Sequence, residues 1–263
     1  MAINDWNLWH WLTAFQHELV LFAGVFFLIG ALDDLAVDVT WLWLKLTGRA
    51  PTPVIERRRL QERALHARAA IFVPAWHEDK VIGATIAHML AAWPQADMRI
   101  YVGVYRNDPA TLAAAMTSAG GDGRVRVVIH DRGGPSTKAD CLNRLYLAME
   151  ADEARTGGPF GYVVFHDAED MVDPGALGLL DEAIADGIDF AQLPVEPLPQ
   201  AGRHWLGSHY CEEFAEAHGK MMVVRGAIGA AIPAAGVGCA IARGALAGCV
   251  QRAERTFRSK RNR

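Results

Sequence analysis

Three things are scarce in this 263-residue chain: net charge, paired cysteines and, over residues 1–44, any Lys or Arg. The formal net charge of −4 is mild, so the composition gives no indication of a nucleic-acid partner. The four cysteines contain no CxxC pair and show no metal-ligand spacing, which favours reduced thiols in a cytoplasmic domain. We therefore expect no nucleic-acid partner and no cysteine metal site.

Charge is scarcest near the N-terminus, where residues 6–32 carry one formal charge, Glu18. The wholly apolar part, residues 19–32, is too short to cross a bilayer alone, but with the residues before it reaches the roughly 20 required. Tryptophans flank this run like the aromatic belts of membrane helices, at positions 6, 9, 11, 41 and 43. We expect residues 1–49 to form a membrane anchor. The alternative is a buried helix pair in a soluble protein.

Two further features bear on the anchor. A signal peptide would need a basic start and a small-residue cleavage site, and the sequence has neither. Seven basic residues lie between positions 45 and 68, and the positive-inside rule then places the domain that follows in the cytoplasm. Residues 50–69 begin with two prolines and continue as a basic stretch, which predicts a linker with a short helix.

From residue 69 onward, strand patterns alternate with helix patterns. The predicted strands are "AAIFVPA", "MRIYVGV", "RVRVVIH" and "YVVFH". Asp108 precedes Pro109 at a predicted helix start, and Thr137 with Asp140 resembles a capping box. This alternation predicts an α/β fold with a mostly parallel sheet flanked by helices.

Polar segments follow each predicted strand: "PAWHED", "YRNDP", "HDRGGPSTK" and "HDAED". Ligands of such sheets bind beyond the carboxyl ends of the strands, so these segments predict one site at one edge. "DAED" places three carboxylates within four positions, Asp167, Glu169 and Asp170. A divalent cation with a phosphorylated ligand would relieve their repulsion. The alternative is an acidic helix N-terminus.

The segment "GGPSTK" adds a second feature of phosphate sites, because Lys138 stands at the start of a predicted helix. Backbone N–H groups at a helix N-terminus bind phosphate, and a lysine adds a positive charge. The order GxxxxGK[ST] is absent, so this is not a Walker A loop. A capped helix with one solvated lysine is the alternative.

Together these segments resemble family-2 glycosyltransferases of the GT-A fold, in particular bacterial inner-membrane members with an N-terminal anchor. The resemblance extends over roughly residues 15–245 and includes "FVPAWHEDKVI", "GPSTKADCLN", "FHDAEDMVDP", "AQLPV" and "AGVGCAIARGAL". It implies a GT-A fold, a nucleotide-diphosphate sugar donor, a polysaccharide or lipid acceptor, and Mg²⁺ or Mn²⁺ as cofactor.

The resemblance also implies which residues form the site. Those expected to bind the substrate are Pro74, Ala75, Glu78, Asp108, Lys138, Asp140 and Asp167. Asp167 and Glu169 match the family's DxD motif and are the expected metal ligands. His77 stands where the family more often has Asn.

One part of the family pattern is missing. The family's general base lies in a "TED"-like motif followed by "QxxRW", and neither occurs here. Three explanations stay open: a truncated or frameshifted enzyme, a non-catalytic role, or a base from another residue. The first is favoured, with residues 70–250 as an incomplete glycosyltransferase domain and 251–263 as a basic tail. The alternatives to sugar transfer are a non-catalytic inner-membrane subunit of a polysaccharide-export or phage-receptor assembly and, more weakly, a nucleotidyltransferase.

Overall fold

A computed structural model of the chain describes residues 7–51, 54–198, 205–250 and 252. The chain divides into two compact units, one of residues 1–52 and 196–232 and the other of residues 53–195 and 233–263. Residues 196–232 thus group with the N-terminal helix and not with the sheet.

The second unit contains a six-stranded sheet in the order β3-β2-β1-β4-β6-β5. Its strands are β1 (Ala69–Pro74), β2 (Met98–Tyr105), β3 (Val125–His130), β4 (Tyr162–Phe165), β5 (Phe190–Gln192) and β6 (Cys239–Ala242). Strands β1 to β4 run parallel, whereas β6 is antiparallel to both β4 and β5. The predicted α/β fold with a mostly parallel sheet is confirmed.

In the described part of the chain, the same unit contains the helices α2 (Arg57–Glu62), α3 (Ile82–Ala92), α4 (Pro109–Ala119), α5 (Lys138–Thr156) and α6 (Ala176–Ala185), and residues 243–250 are helical as well. Ile71 and Val73 of β1 pack into a core with α3, α4 and α6, and Ala70 and Phe72 pack on the opposite face with α5. Both faces of β1 are apolar because helices cover both, as in other parallel sheets.

The residues that the sequence predicts as helix caps do cap these helices in the structure. Asp108 is the N-cap of α4, Pro109 follows it at the first helical position, and Gly120 ends the helix in the left-handed conformation. The side chain of Thr137 caps α5 by accepting a hydrogen bond from the backbone N–H of Asp140. These caps fix where α4 and α5 begin, at the ends of the loops that follow β2 and β3.

The short helix of the basic linker is attached to the sheet unit, with its arginines at positions 57–59 exposed. Leu60 of α2 is buried. Arg57 pairs with Asp173 at 2.9 Å, and Arg63 pairs with the buried carboxylate of Asp181 at 2.9 Å. These ion pairs attach α2 to the sheet unit and neutralise part of its positive charge.

The first unit is helical. It contains α1 (Leu8–Leu46), α7 (Trp205–Glu216), a π-helical turn (Ala217–Met221) and α8 (Met222–Ala227). Helix α1 contacts the π-helical turn and α8, with Leu44 buried, and Lys220 pairs with both Asp38 and Glu216.

Helix α1 has 39 residues, and at about 1.5 Å per residue it is about 58 Å long. Its most apolar 18-residue window has a mean hydropathy of 2.1, and none of that window is buried. By length and composition this helix can cross a membrane. Trp6 of the predicted aromatic belts lies outside the described residues, as does the predicted basic tail apart from Arg252.

Candidate functional site

A pocket opens at the carboxyl ends of β1 and β4. The chain leaves β1 toward β2 on one side, and β4 lies on the other side, so the two strands enclose the crevice where ligands of open α/β sheets bind. The pocket has a volume of about 260 Å³, a little below the roughly 300–1,000 Å³ typical of small-molecule sites. Its lining residues are Pro74, Ala75, Trp76, Glu78, Tyr105, Ser136, Lys138, Cys141, Asp167, Ala168 and Glu169.

Six of the eight residues expected at the site line this pocket, and Asp108 and Asp140 do not. Asp108 is 3% exposed, and its carboxylate accepts hydrogen bonds from the backbone N–H of His77 at 2.7 Å and of Thr111 at 3.3 Å. Burial acts to raise the pKa of Asp108, but the hydrogen bonds from Thr111 and His77 outweigh it and lower that pKa. Asp108 therefore holds the loop after β1 and starts α4.

Asp140 lies in the first turn of α5, where a negative charge stabilises the positive end of the helix dipole. Its carboxylate is 3.2 Å from Nε2 of His130, at the end of β3. The ring of His130 in turn stacks on Tyr105, a residue of the pocket wall. Asp140 thus lies outside the pocket and, through His130, helps to position Tyr105 in the pocket wall.

The three carboxylates of "DAED" have separate surroundings. Asp170 is 2.9 Å from Nδ1 of His166 and accepts a hydrogen bond from the backbone N–H of Asp167 at 2.9 Å, so it fixes the turn. The carbonyl of Ala168 accepts a hydrogen bond from Thr85 of α3 at 2.5 Å. These contacts orient the remaining two carboxylates, Asp167 and Glu169, toward the pocket.

Lys138 and Asp167 are joined by an ion pair across the pocket. Their side chains are 45% and 34% exposed. The ammonium group also lies 3.5 Å from the carbonyl oxygen of Gly236, in the loop before β6. The segments after β3 and β4 are therefore linked by opposite charges, although 29 positions separate the two residues.

The carboxylates of the pocket are close enough to influence one another. Burial raises the pKa of Glu78, and repulsion from Glu169, Asp167 and Asp108 raises it further. Carboxylate oxygens are ligands that Mg²⁺ and Mn²⁺ prefer, and this donor set fits such a cation. Among the described residues, however, no group of three His, Cys, Asp or Glu side chains could hold a metal ion. The remaining ligands would come from water and from a bound phosphate, as is usual for Mg²⁺ sites.

The opposite wall of the pocket is aromatic. The rings of Trp76 and Tyr105 meet edge to face at 4.9 Å, and the hydroxyl of Tyr105 is 2.6 Å from that of Ser136. Gly134 packs directly on Trp76, since a Cβ at that position would lie 2.4 Å from the ring. Both backbone groups of Gly134 are hydrogen-bonded at 2.7 Å by the side-chain amide of Asn107.

Sequence reasoning assigned no role to Trp76, Tyr105 or Asn107. The signals available were an aromatic residue two positions after β1, another that ends β2, and the two adjacent glycines that let a loop approach a ring closely. Neither signal shows which aromatic ring contacts which loop.

His77 adopts a left-handed backbone conformation, with φ of 59°. A side chain with a Cβ loses about 1–2 kcal/mol in this region, and glycine avoids that loss. Glycine also has more conformational freedom to lose on folding, by about 0.5–1 kcal/mol. The substitution also removes the edge-to-face contact between the rings of His77 and Trp76 at 4.3 Å. We therefore expect His77→Gly to change the free energy of unfolding by less than about 0.5 kcal/mol, measured by denaturant unfolding.

Asp79→Gly is the matched control for this prediction. Asp79 lies two positions along the same loop and does not have a positive φ, so glycine there should destabilise the fold. Equal destabilisation by both variants would contradict the interpretation that the backbone at His77 is strained.

Comparison with known proteins places the chain in a family of glycosyltransferase-like proteins. A model of the family described as "Glycosyltransferase like family 2" matches residues 66–260. The chain is 32% identical over 240 residues to bacteriophage adsorption protein B of Escherichia coli K12, and equally to bacteriophage N4 adsorption protein B of Escherichia coli O157:H7. The alignment covers 90% of this chain and 32% of each relative. The chain thus spans about a third of their length.

Solved structures give a weaker likeness. Glucosyl-3-phosphoglycerate synthase of Mycobacterium tuberculosis, solved with Mn²⁺ and UDP-glucose, has a TM-score of 0.42 and 16% identity over 73% of this chain and 62% of that one. A mannosyltransferase of Pyrobaculum calidifontis, solved with GDP-mannose and Mn²⁺, has a TM-score of 0.39 and 15% identity over 62% and 46%. The assignment of the chain to its family rests on the family model.

Proposed function

Since the chain belongs to the glycosyltransferase-like family 2, we propose that its pocket binds a nucleotide-diphosphate sugar together with Mg²⁺ or Mn²⁺. The observation that carries this proposal is the meeting of one lysine and three carboxylates at the ends of β1 and β4: Lys138, Glu78, Asp167 and Glu169. An ammonium group complements a diphosphate, and carboxylates complement a hard divalent cation.

The lining residues would contact different parts of the donor and its cation. Asp167 and Glu169 would hold the cation, which when bound neutralises the charge that builds on the leaving diphosphate. Lys138 would contact the diphosphate oxygens. Trp76 and Tyr105 offer aromatic surface to the apolar parts of the donor, as small-molecule sites commonly do.

Sugar transfer onto a polysaccharide or lipid acceptor is the activity we propose for the whole protein, with this part supplying the donor site. The long apolar α1 and the similarity to phage adsorption protein B indicate membrane association. We further propose that α1 anchors the protein in a bacterial inner membrane with the sheet unit in the cytoplasm, which the basic residues after the anchor favour.

Calorimetric titration of UDP into the full chain in detergent tests the proposal. We expect saturable binding in the presence of Mn²⁺ and loss of most of it after EDTA. UMP is the matched control ligand, because it keeps the nucleoside but lacks the second phosphate, and it should bind more weakly.

The absence of UDP binding in either buffer would contradict the proposal. The non-catalytic membrane subunit would then be the better interpretation of the chain. Binding of equal strength with and without Mn²⁺ would retain the nucleotide site but contradict the role given to Asp167 and Glu169.

A further inference from the structure

We propose that Lys138 is a built-in counter-ion of the pocket, which neutralises Asp167 until a nucleotide diphosphate draws the ammonium group away. The divalent cation and the nucleotide would then bind cooperatively, and the cation alone would bind weakly. This inference rests on the proposed function, and it concerns the order and coupling of binding at that site.

The geometry places the ammonium group where a cation would be expected. Nζ of Lys138 pairs with Oδ1 of Asp167 and lies 3.5 Å from the carbonyl oxygen of Gly236. Both partners are oxygen atoms, one of them charged, which are also the atoms that a hard divalent cation prefers. A cation on Asp167 would therefore meet a positive charge already in place.

The ion pair between Lys138 and Asp167 can open at a low cost in free energy. Both side chains keep substantial exposure, 45% for Lys138 and 34% for Asp167, and ion pairs in contact with water contribute little to stability. By contrast, Arg99 pairs with an Asp152 side chain that is only 2% exposed. Releasing Lys138 therefore requires little free energy compared with opening a buried pair.

Opening the pair also leaves the loop in place. The backbone N–H of Asp167 is held by Asp170 at 2.9 Å, and the carbonyl of Ala168 is held by Thr85 at 2.5 Å. Neither bond involves Lys138. The carboxylate of Asp167 can thus change partners while its backbone stays fixed.

The coupling follows from a shared requirement. Each ligand binds fully only when Lys138 has left Asp167. Whichever ligand binds first keeps the ion pair open for the other, which gives positive cooperativity. The diphosphate favours the release because its negative charge can accept the ammonium group that Asp167 gives up. Couplings between two sites are typically about 5–150-fold, and by linkage each ligand strengthens the other by the same factor.

Substitution of Lys138 separates this role from simple contact with the diphosphate. In the full chain in detergent, we expect Lys138→Met to bind Mn²⁺ alone up to about fivefold more tightly than the parent, at the low end of the usual range of such couplings because the exposed pair that must open is weak. The signal of free Mn²⁺ in electron paramagnetic resonance reports this affinity without any enzyme activity. Mn²⁺ should also raise the affinity for UDP by a smaller factor in this variant.

Lys138→Arg is the matched control, since it keeps the positive charge and should keep the weak binding of Mn²⁺ alone. If Lys138 only contacts the diphosphate, Lys138→Met will leave the affinity for Mn²⁺ alone unchanged. That result, with UDP still bound by the parent protein, would overturn this inference and leave the proposed function intact. No UDP binding by the parent protein with Mn²⁺ would overturn both.

Discussion

Asp152→Ala is expected to lower the free energy of unfolding by about 1.5–3 kcal/mol, as loss of hydrogen bonds to a buried charged group does. Asp152 of α5 is 1% exposed. Its carboxylate is bonded by Arg99 at 2.9 Å, Arg126 at 2.5 Å, Arg155 at 3.0 Å and the hydroxyl of Tyr101 at 2.9 Å. Without the carboxylate, three positive charges repel one another beside the sheet, and a buried hydroxyl loses its partner.

Denaturant unfolding of the full chain in detergent measures this effect. Asp122→Ala is the matched control, because Asp122 pairs with Arg124 at 2.8 Å with both side chains partly exposed, at 31% and 23%. Such pairs contribute about 0–1 kcal/mol, so the control should change little. Losses of similar size in the two variants would show that the buried cluster around Asp152 does not stabilise the sheet unit as we infer.

The same cluster predicts how stability depends on pH. Burial acts to raise the pKa of Asp152, but hydrogen bonds from Arg126, Arg155, Tyr101 and Arg99 outweigh it and hold the pKa well below its ordinary value. A carboxyl with a lowered folded pKa stabilises the fold above its unfolded pKa of about 3.9 and loses that contribution as pH falls. We expect the unfolding free energy to fall below about pH 5, and less steeply in Asp152→Asn.

Glu169→Gln is expected to weaken Mn²⁺-dependent UDP binding by at least about 100-fold, since loss of an outer-shell partner alone weakens metal sites about 10–100-fold. Glu169 is exposed. Of the three "DAED" carboxylates, Asp170 fixes the turn and Asp167 pairs with Lys138, and in the described part of the chain Glu169 has no hydrogen bond or ion pair. It is therefore the carboxylate most available to a cation.

Calorimetry with UDP and Mn²⁺ measures the loss, and thermal unfolding shows whether the fold is kept. The unfolding temperature should stay unchanged or rise slightly, because Glu169→Gln removes a charge that repels Glu78. Glu62→Gln is the matched control at an exposed ion pair of α2 and should leave UDP binding unchanged. Full UDP affinity in Glu169→Gln would exclude this carboxylate from the cation site.

The sheet could be predicted from the sequence because its signals are local. Four apolar strand patterns, the caps of α4 and α5, and the polar segments that follow the strands can each be identified within a few residues. The rule that parallel strands present their carboxyl ends at one edge then places the site. Six of the eight residues expected there line one pocket.

The two exceptions show where local signals fail. Asp108 and Asp140 are close to the pocket in sequence, yet one accepts backbone hydrogen bonds and the other pairs with His130. A carboxylate that lies next to an unpaired backbone N–H group accepts a hydrogen bond from it and is then not available to a ligand. The sequence does not show which backbone N–H groups are unpaired. The aromatic wall escaped prediction for a similar reason, since Trp76 and Gly134 meet only after two loops pack together.

The sequence by itself determined the four parallel strands and the helices between them, the edge of the sheet that carries charge, the family, and an N-terminal helix apolar enough for a membrane, but not the antiparallel strands β5 and β6. Hydrophobic period, capping residues and motif order are properties of neighbouring residues, so no tertiary contact is needed to recognise them. Only the tertiary structure decided that Lys138 meets Asp167, that Asp108 is withdrawn from the pocket, and that residues 196–232 group with α1. Those outcomes depend on the directions of side chains and on contacts between distant segments, which packing alone determines.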